Sequence, residues 1–374
     1  MKVKQRNNIF KQLKKADILL LSLFTSSLVF FTLLHIRELD QIVVLNDEFG
    51  YWSIAAAMGG KNWGDLIANT PYYNYGYSLL LVPLFHLGLP TYIIYRLAII
   101  LILGYWVSIL CGKKIFPKIN IKNLIIICFL INCYPSVLVQ TQVAWTEALL
   151  NLLFWMAVLG VLSLAENPKL WKLLCFSLIL GYMFVVHQRT IGIVISGVII
   201  LVLLCVSKKI SFKNMLLAFA MLSGILILHF YVKAGLKDWL WTQSDLGNMN
   251  DFKGQTSLID SMFSKFGIKN IFYGLSGRIF YFLISGGIVW YCGFTCVIMD
   301  AFSAIRGNIK KICKQVQFVE IFIVLSFLSV VAIGLVVIAQ GFGRADTVVY
   351  GRYIENTVAP ILLIGAGTIF EKKV

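Results

Sequence analysis

The sequence predicts an all-α, polytopic transmembrane protein built as a single domain over residues 1–374. Hydrophobic residues make up 59% of the 374 positions and only 13% are charged, a balance far from that of water-soluble chains. Apolar runs of about 17 to 25 residues, the length a spanning helix needs, recur along the whole chain. Basic residues are dense in every second connecting loop, as expected where Lys and Arg are retained on the cytoplasmic side.

About ten spans follow from these runs. They cover Asp17 to His35, Tyr92 to Leu110, Ile121 to Val139, Trp145 to Leu164, Leu170 to Val186, Ile191 to Val206, Met215 to Val232, Ile279 to Met299, Phe318 to Ala339 and Val358 to Phe370. The third contains Pro135. The run Ser78 to Leu87 is too short to cross and reads as re-entrant or interfacial. No small-residue cleavage site follows the first span, so it is expected to be retained as a helix.

With both termini cytoplasmic, 21 of the 33 basic residues fall in inner segments, and the acidic residues divide the other way. This places the chain in the cell membrane as a multi-pass protein. The net charge of +16 is spread over the inner loops rather than gathered on one face, which argues against nucleic acid and for anionic inner-leaflet lipid. The eight cysteines fall in spans and inner loops without disulfide or metal-ligand spacing.

Three outer segments are long enough to build a site, 36–90, 233–277 and 340–357, and function is expected on that face. In the first, Asp47 and Glu48 are adjacent in a chain poor in carboxylates. Asn46 is a good N-cap for a short helix through Ala57, ended by Gly59-Gly60. Acidic residues there also complement the helix dipole, which is the plainer explanation. The 3.6-residue period places Asp47 and Tyr51 on one face, with Glu48 turned away. Downstream, the run from Pro71 to Ser78 holds four tyrosines, among them Tyr72 and Tyr75. They suit either an interfacial aromatic belt or an apolar floor for a sugar ring.

Other ionisable residues collect at the outer ends of spans: Glu147, His187, Arg189, Arg344, and Arg352 beside Tyr353. Snorkelling or loop salt bridges account for each taken singly. Their convergence on one side is the informative feature, and Arg189, Arg344 and Arg352 together suit bidentate binding of a phosphate or pyrophosphate.

Together these residues resemble a known group. The Asp47-Glu48 pair, the Tyr-Gly-Tyr-Ser-Leu-Leu-Leu-Val-Pro-Leu-Phe run, Pro135-Ser136 leading to Thr146-Glu147, His187-Gln188-Arg189, and Gly351-Arg352-Tyr353 before Pro360 look like the GT-C superfamily of membrane glycosyltransferases. Protein O-mannosyltransferases and the aminoarabinose transferase of lipid A belong there. The resemblance implies transfer of a sugar from a polyprenyl-phosphate carrier to a glycan, lipid or protein acceptor on the outer face. The first-loop aspartate would be the catalytic residue.

On that reading Asp47 is the general base and Glu48 its orienting neighbour or a metal ligand. Arg189 and Arg352 hold the lipid phosphate, with Arg344 a third candidate. Tyr72, Tyr75, His187, Glu147 and Tyr353 are candidate substrate contacts. A divalent cation is the one candidate cofactor. A transporter or lipid flippase is the alternative, and a non-catalytic envelope-assembly partner a third. Transporters tend to show internal repeats and mid-span charges, and neither is visible here.

Overall fold

The computed structural model describes residues 13–34, 45–61, 74–88, 100–141, 143–241, 263–307, 315–339, 352 and 354–372, with the side chains of 32–34, 45–47, 337–339 and 372 left aside. All regular structure among them is helical. In chain order the α-helices are α1 Lys15–Leu34, α2 Leu45–Met58, α3 Tyr75–Leu81, α4 Leu84–Leu87, α5 Ile102–Ile115, α6 Ile121–Asn132, α7 Pro135–Thr141, α8 Glu147–Glu166, α9 Leu170–Val186, α10 Ile191–Val206, α11 Phe212–Leu240, α12 Lys265–Ser285, α13 Gly287–Arg306, α14 Gln315–Ala339 and α15 Val358–Lys372. Single 3₁₀ turns at Gln188–Thr190 and Glu355–Thr357 lead into α10 and α15.

Five of these segments are long and apolar enough to cross a bilayer: α8, α10 with its 3₁₀ turn, α11, α13 and α14. The number becomes six if α6 and α7, bent by 63°, form one broken span. Pro135 is the cause of that bend. It sits at the first position of α7, where its missing N–H costs nothing, and the helix before it has to stop.

The expected span Ile279 to Met299 is corrected, since α12 ends at Ser285 and α13 begins at Gly287. Gly287 has φ of 52°, a left-handed conformation that glycine adopts readily, so the chain turns there. The expected loop 233–277 is also shorter than its composition implies. Helix α11 runs on to Leu240 and α12 starts at Lys265.

The core lies around α8, whose Phe154, Trp155, Val158, Val161 and Leu162 are fully enclosed. Packing against it are α5, α9 and α14. By contrast α11 buries one narrow stripe, Met215, Ala218, Leu222, His229 and Lys233, and leaves Leu216, Ile227, Leu228 and Tyr231 exposed. So broad an apolar face is at odds with water and suits lipid. Where apolar contact gives little drive, helices associate through small residues, and α13 and α15 do so. A Cβ added at Gly293 would lie 2.0 Å from the Ile361 carbonyl oxygen, and one at Gly365 would lie 1.9 Å from that of Val289.

The two ends of α8 differ in chemistry. At its C-terminal end Lys114 pairs with Glu166, Lys209 Nζ donates to the Ala165 carbonyl at 2.9 Å, and Lys172 Nζ donates to Asn167 and Ser163. The lysine-rich turns thus meet at one level. Glu147 opens the helix at the other end, roughly 28 Å away at 1.5 Å per residue, about a hydrocarbon thickness.

Candidate functional site

Glu147 is the centre of the second end. Its carboxylate, 1% exposed, accepts from Arg189 Nη2 at 2.5 Å and from Arg352 Nε at 2.7 Å, both on Oε1. The Thr146 hydroxyl donates to Oε2 at 3.3 Å. Arg352 Cζ also lies over Trp145, 3.9 Å from the ring centroid, a cation–π contact. Residues 42 and 205 positions apart from Glu147 therefore meet on one oxygen. Among the described residues one carboxylate against two guanidiniums leaves a net positive charge.

Further basic character surrounds the triad. Lys233, buried on α11, donates to Gln188 Oε1 at 3.5 Å. His187 Nδ1 accepts from the Arg189 N–H at 3.3 Å, which leaves the other ring nitrogen as the donor. Burial, and then the charge of Arg189, hold the His187 imidazole well below its usual pKa, so it is neutral at pH 7.

Helix α2 docks onto this cluster. Glu48, expected to orient Asp47 or bind a metal, accepts from the Ala144 N–H at 2.5 Å through Oε1, pinning the loop that leads into α8. Tyr51 is fully enclosed, and its hydroxyl pairs with that of Thr146, extending the chain of donors toward Glu147. Burial, reinforced by the Glu147 charge, pushes the Tyr51 phenol far above its ordinary pKa, so it keeps its proton at neutral pH. The helix ends after Met58 at Gly59-Gly60, as its sequence indicates, and begins one residue before Asn46.

The hairpin segment after α2 is held just as closely. Ser78 Oγ donates to the Tyr51 carbonyl at 3.0 Å, and Tyr51 meets Tyr77 edge-on with centroids 5.2 Å apart. Asn74 Nδ2 donates to the Phe184 carbonyl at 3.2 Å, and the Tyr182 hydroxyl donates to that of Gly76 at 3.0 Å. Gly76 touches the backbone of α9 directly, and a Cβ there would sit 2.6 Å from Val185 C and Val186 N. The strand of contacts from α2 through α3 to α9 thus ends next to His187.

Of the residues singled out from the sequence, Glu147, His187, Arg189 and Arg352 come together, with Glu48 one loop away. Tyr75 does not join them. It packs with Ile54, Val185 and Trp241 and stacks on His229 at 5.4 Å. The Asp47 backbone lies in the first turn of α2, while its side chain, and Tyr72, Arg344 and Tyr353, lie outside the described residues. Sequence reasoning gave no role to Thr146, Trp145 or Lys233. The first two adjoin Glu147 in sequence, but Lys233 gives no local sign of its role.

Glu147 is fully engaged by its own cations, so it does not suit a divalent ion. Among the described residues no group of three His, Cys, Asp or Glu side chains is placed to hold a metal. No protein-family model, curated protein or solved structure matches this chain. Among the described residues, the fold and this cluster define an all-helical protein with several membrane-competent helices and a buried Glu147–Arg189–Arg352 cluster at one end of them.

Proposed function

We propose that the chain is a GT-C-like membrane glycosyltransferase with about ten crossings. Both termini are cytoplasmic, and the site faces the outer side of the cell membrane. It moves a sugar from a polyprenyl-phosphate carrier to a glycan, lipid or protein acceptor. The observation that carries this reading is the docking of the Asp47-bearing helix, through Glu48 and Tyr51, onto the loop and helix start that hold Arg189 and Arg352. A carboxylate-bearing helix and a net cationic cluster are what transfer from a lipid phosphate requires in one place.

In the proposed reaction the acceptor hydroxyl oxygen attacks the anomeric carbon while the bond from that carbon to the phosphate oxygen breaks. Asp47 takes the hydroxyl proton, and the lipid phosphate leaves with the electron pair. An aspartate is a weak base for a free hydroxyl, so the proton moves late. Arg189 and Arg352, set by Glu147, stabilise charge growing on the leaving phosphate. A single displacement inverts the anomeric centre, which product stereochemistry would test.

The test is incubation of the purified protein with a panel of polyprenyl-phosphate sugars, comparing wild type with Asp47→Asn. Transfer by the wild type and a loss of at least a hundredfold in the variant is the expected result. Equal turnover in both removes Asp47 from the chemistry, and no transfer from any donor sinks the reading.

A further inference from the structure

A second polar site lies one helical turn along α8 from the triad. Asn151, at i+4 from Glu147, lines a cavity of about 10 Å³ together with Gly104, Asn132, Thr141, Glu355 and Asn356, room for about one water-sized species. Its walls come from α5, from α8, from the 3₁₀ turn before α15, and from both sides of the Pro135 break between α6 and α7. A broken helix at membrane depth is tolerated where it is enclosed by protein or lines a polar cavity.

Among the described residues the polar atoms left over at this cavity are all oxygens. Asn151 Oδ1 and Asn356 Oδ1 are buried and have no hydrogen-bond partner; Glu355 Oε2 is buried with none at full hydrogen-bonding geometry, although the Ser136 hydroxyl lies near enough to favour the ionised carboxyl. Glu355 and Asn356 are each 3% exposed. The other carboxylate oxygen, Glu355 Oε1, accepts from the Tyr281 hydroxyl. Asn132 directs its amide to Ser108 Oγ and to the Cys128 carbonyl, and Thr141 donates its hydroxyl to the Leu138 carbonyl. Among the described residues no lysine or arginine lines the cavity, and Gln140, which does, donates its amide to Ser136 Oγ at 3.3 Å.

We infer that this cavity is a binding site for a small monovalent cation, with Na⁺ the best fit, held by Glu355, Asn356 and Asn151. Once Glu355 is ionised, as it is above about pH 8, a water offers two hydrogens to three acceptors and leaves the carboxylate charge uncompensated. A single positive charge satisfies both, and burial without one is costly. Hard oxygen donors exclude the softer transition metals, and one carboxylate is too little charge for a calcium site. The site is independent of the glycosyltransferase reading and stands or falls separately.

The experiment is thermal unfolding of the full-length protein in detergent at pH 8.5, in NaCl, KCl or choline chloride at equal ionic strength. Wild type is expected to gain stability saturably with Na⁺ over choline, with K⁺ weaker. Glu355→Gln should lose the Na⁺ dependence, and Asn356→Leu should raise the half-saturating Na⁺ concentration at least tenfold. ²²Na⁺ binding of one ion per chain, lost in Glu355→Gln, is the second readout and needs no comparison of unfolding midpoints. Identical midpoints in the three salts with no bound ²²Na⁺, or an unchanged Na⁺ response in Glu355→Gln, overturns the assignment.

Discussion

Replacing Glu147 by Gln removes one charge and keeps the shape, and the structure says what that exposes. Arg189 and Arg352 are 10% and 14% exposed, so neither guanidinium can turn to bulk water when the carboxylate is gone. Two like charges that shared an oxygen then face each other across it. Breaking a buried ion pair on one side costs about 3–5 kcal/mol, most of it from the charge left behind. The Trp145 face retains part of the Arg352 interaction, so the lower half of that range is expected. Titration with denaturing detergent, following tryptophan fluorescence, reads the change. A double-mutant cycle with Arg189→Gln should give a coupling above about 1 kcal/mol, because the second substitution relieves the repulsion created by the first. An unchanged midpoint in Glu147→Gln, or additive effects in the cycle, would refute the claim that this triad is a buried and coupled unit.

Glu355 sets a pH dependence of its own. Burial raises its pKa from 4.5 to about 8, with the Ser136 hydroxyl acting the other way, and the groups facing it are the Tyr281 and Tyr134 phenols. A carboxyl raised on folding contributes most below its unfolded pKa and loses that contribution as pH climbs toward 8. In sodium-free buffer wild type should therefore lose stability between pH 5.5 and 8.5 relative to Glu355→Gln, by at most about 1.4 kcal/mol per pH unit. Parallel profiles would contradict the burial of this group. Gly293→Val should separate α13 from α15 and lower the unfolding midpoint sharply, whereas Gly224→Val, on an open face of α11, should leave it within error. Gly76→Ala forces α3 off the α9 backbone, and faster proteolysis of the α2–α3 region than in wild type is the expected sign.

Much of the fold was written locally. Apolar length identified α8, α10, α11 and α14 as membrane-competent, the glycine pair marked the end of α2, and Pro135 marked a weak point in its helix, because each is a property of a few consecutive residues. The break at Gly286-Gly287 carries the same glycine-pair signal as the end of α2, but the apolar run continues across it and hides it within one span. The same division holds for the site. A charge at the end of an apolar run can be named as a candidate from sequence, and Glu147, His187, Arg189 and Arg352 were. Whether such charges pair with one another, face a ligand or snorkel to water depends on distances between segments up to 205 residues apart, and only tertiary packing sets those. It made Glu48 a clamp on Ala144, moved Tyr75 to the His229 side, and joined Glu355 to Asn151 around a cavity neither segment announces. Hydrophobic pattern decides what enters the bilayer; mutual burial decides which polar groups must find each other there.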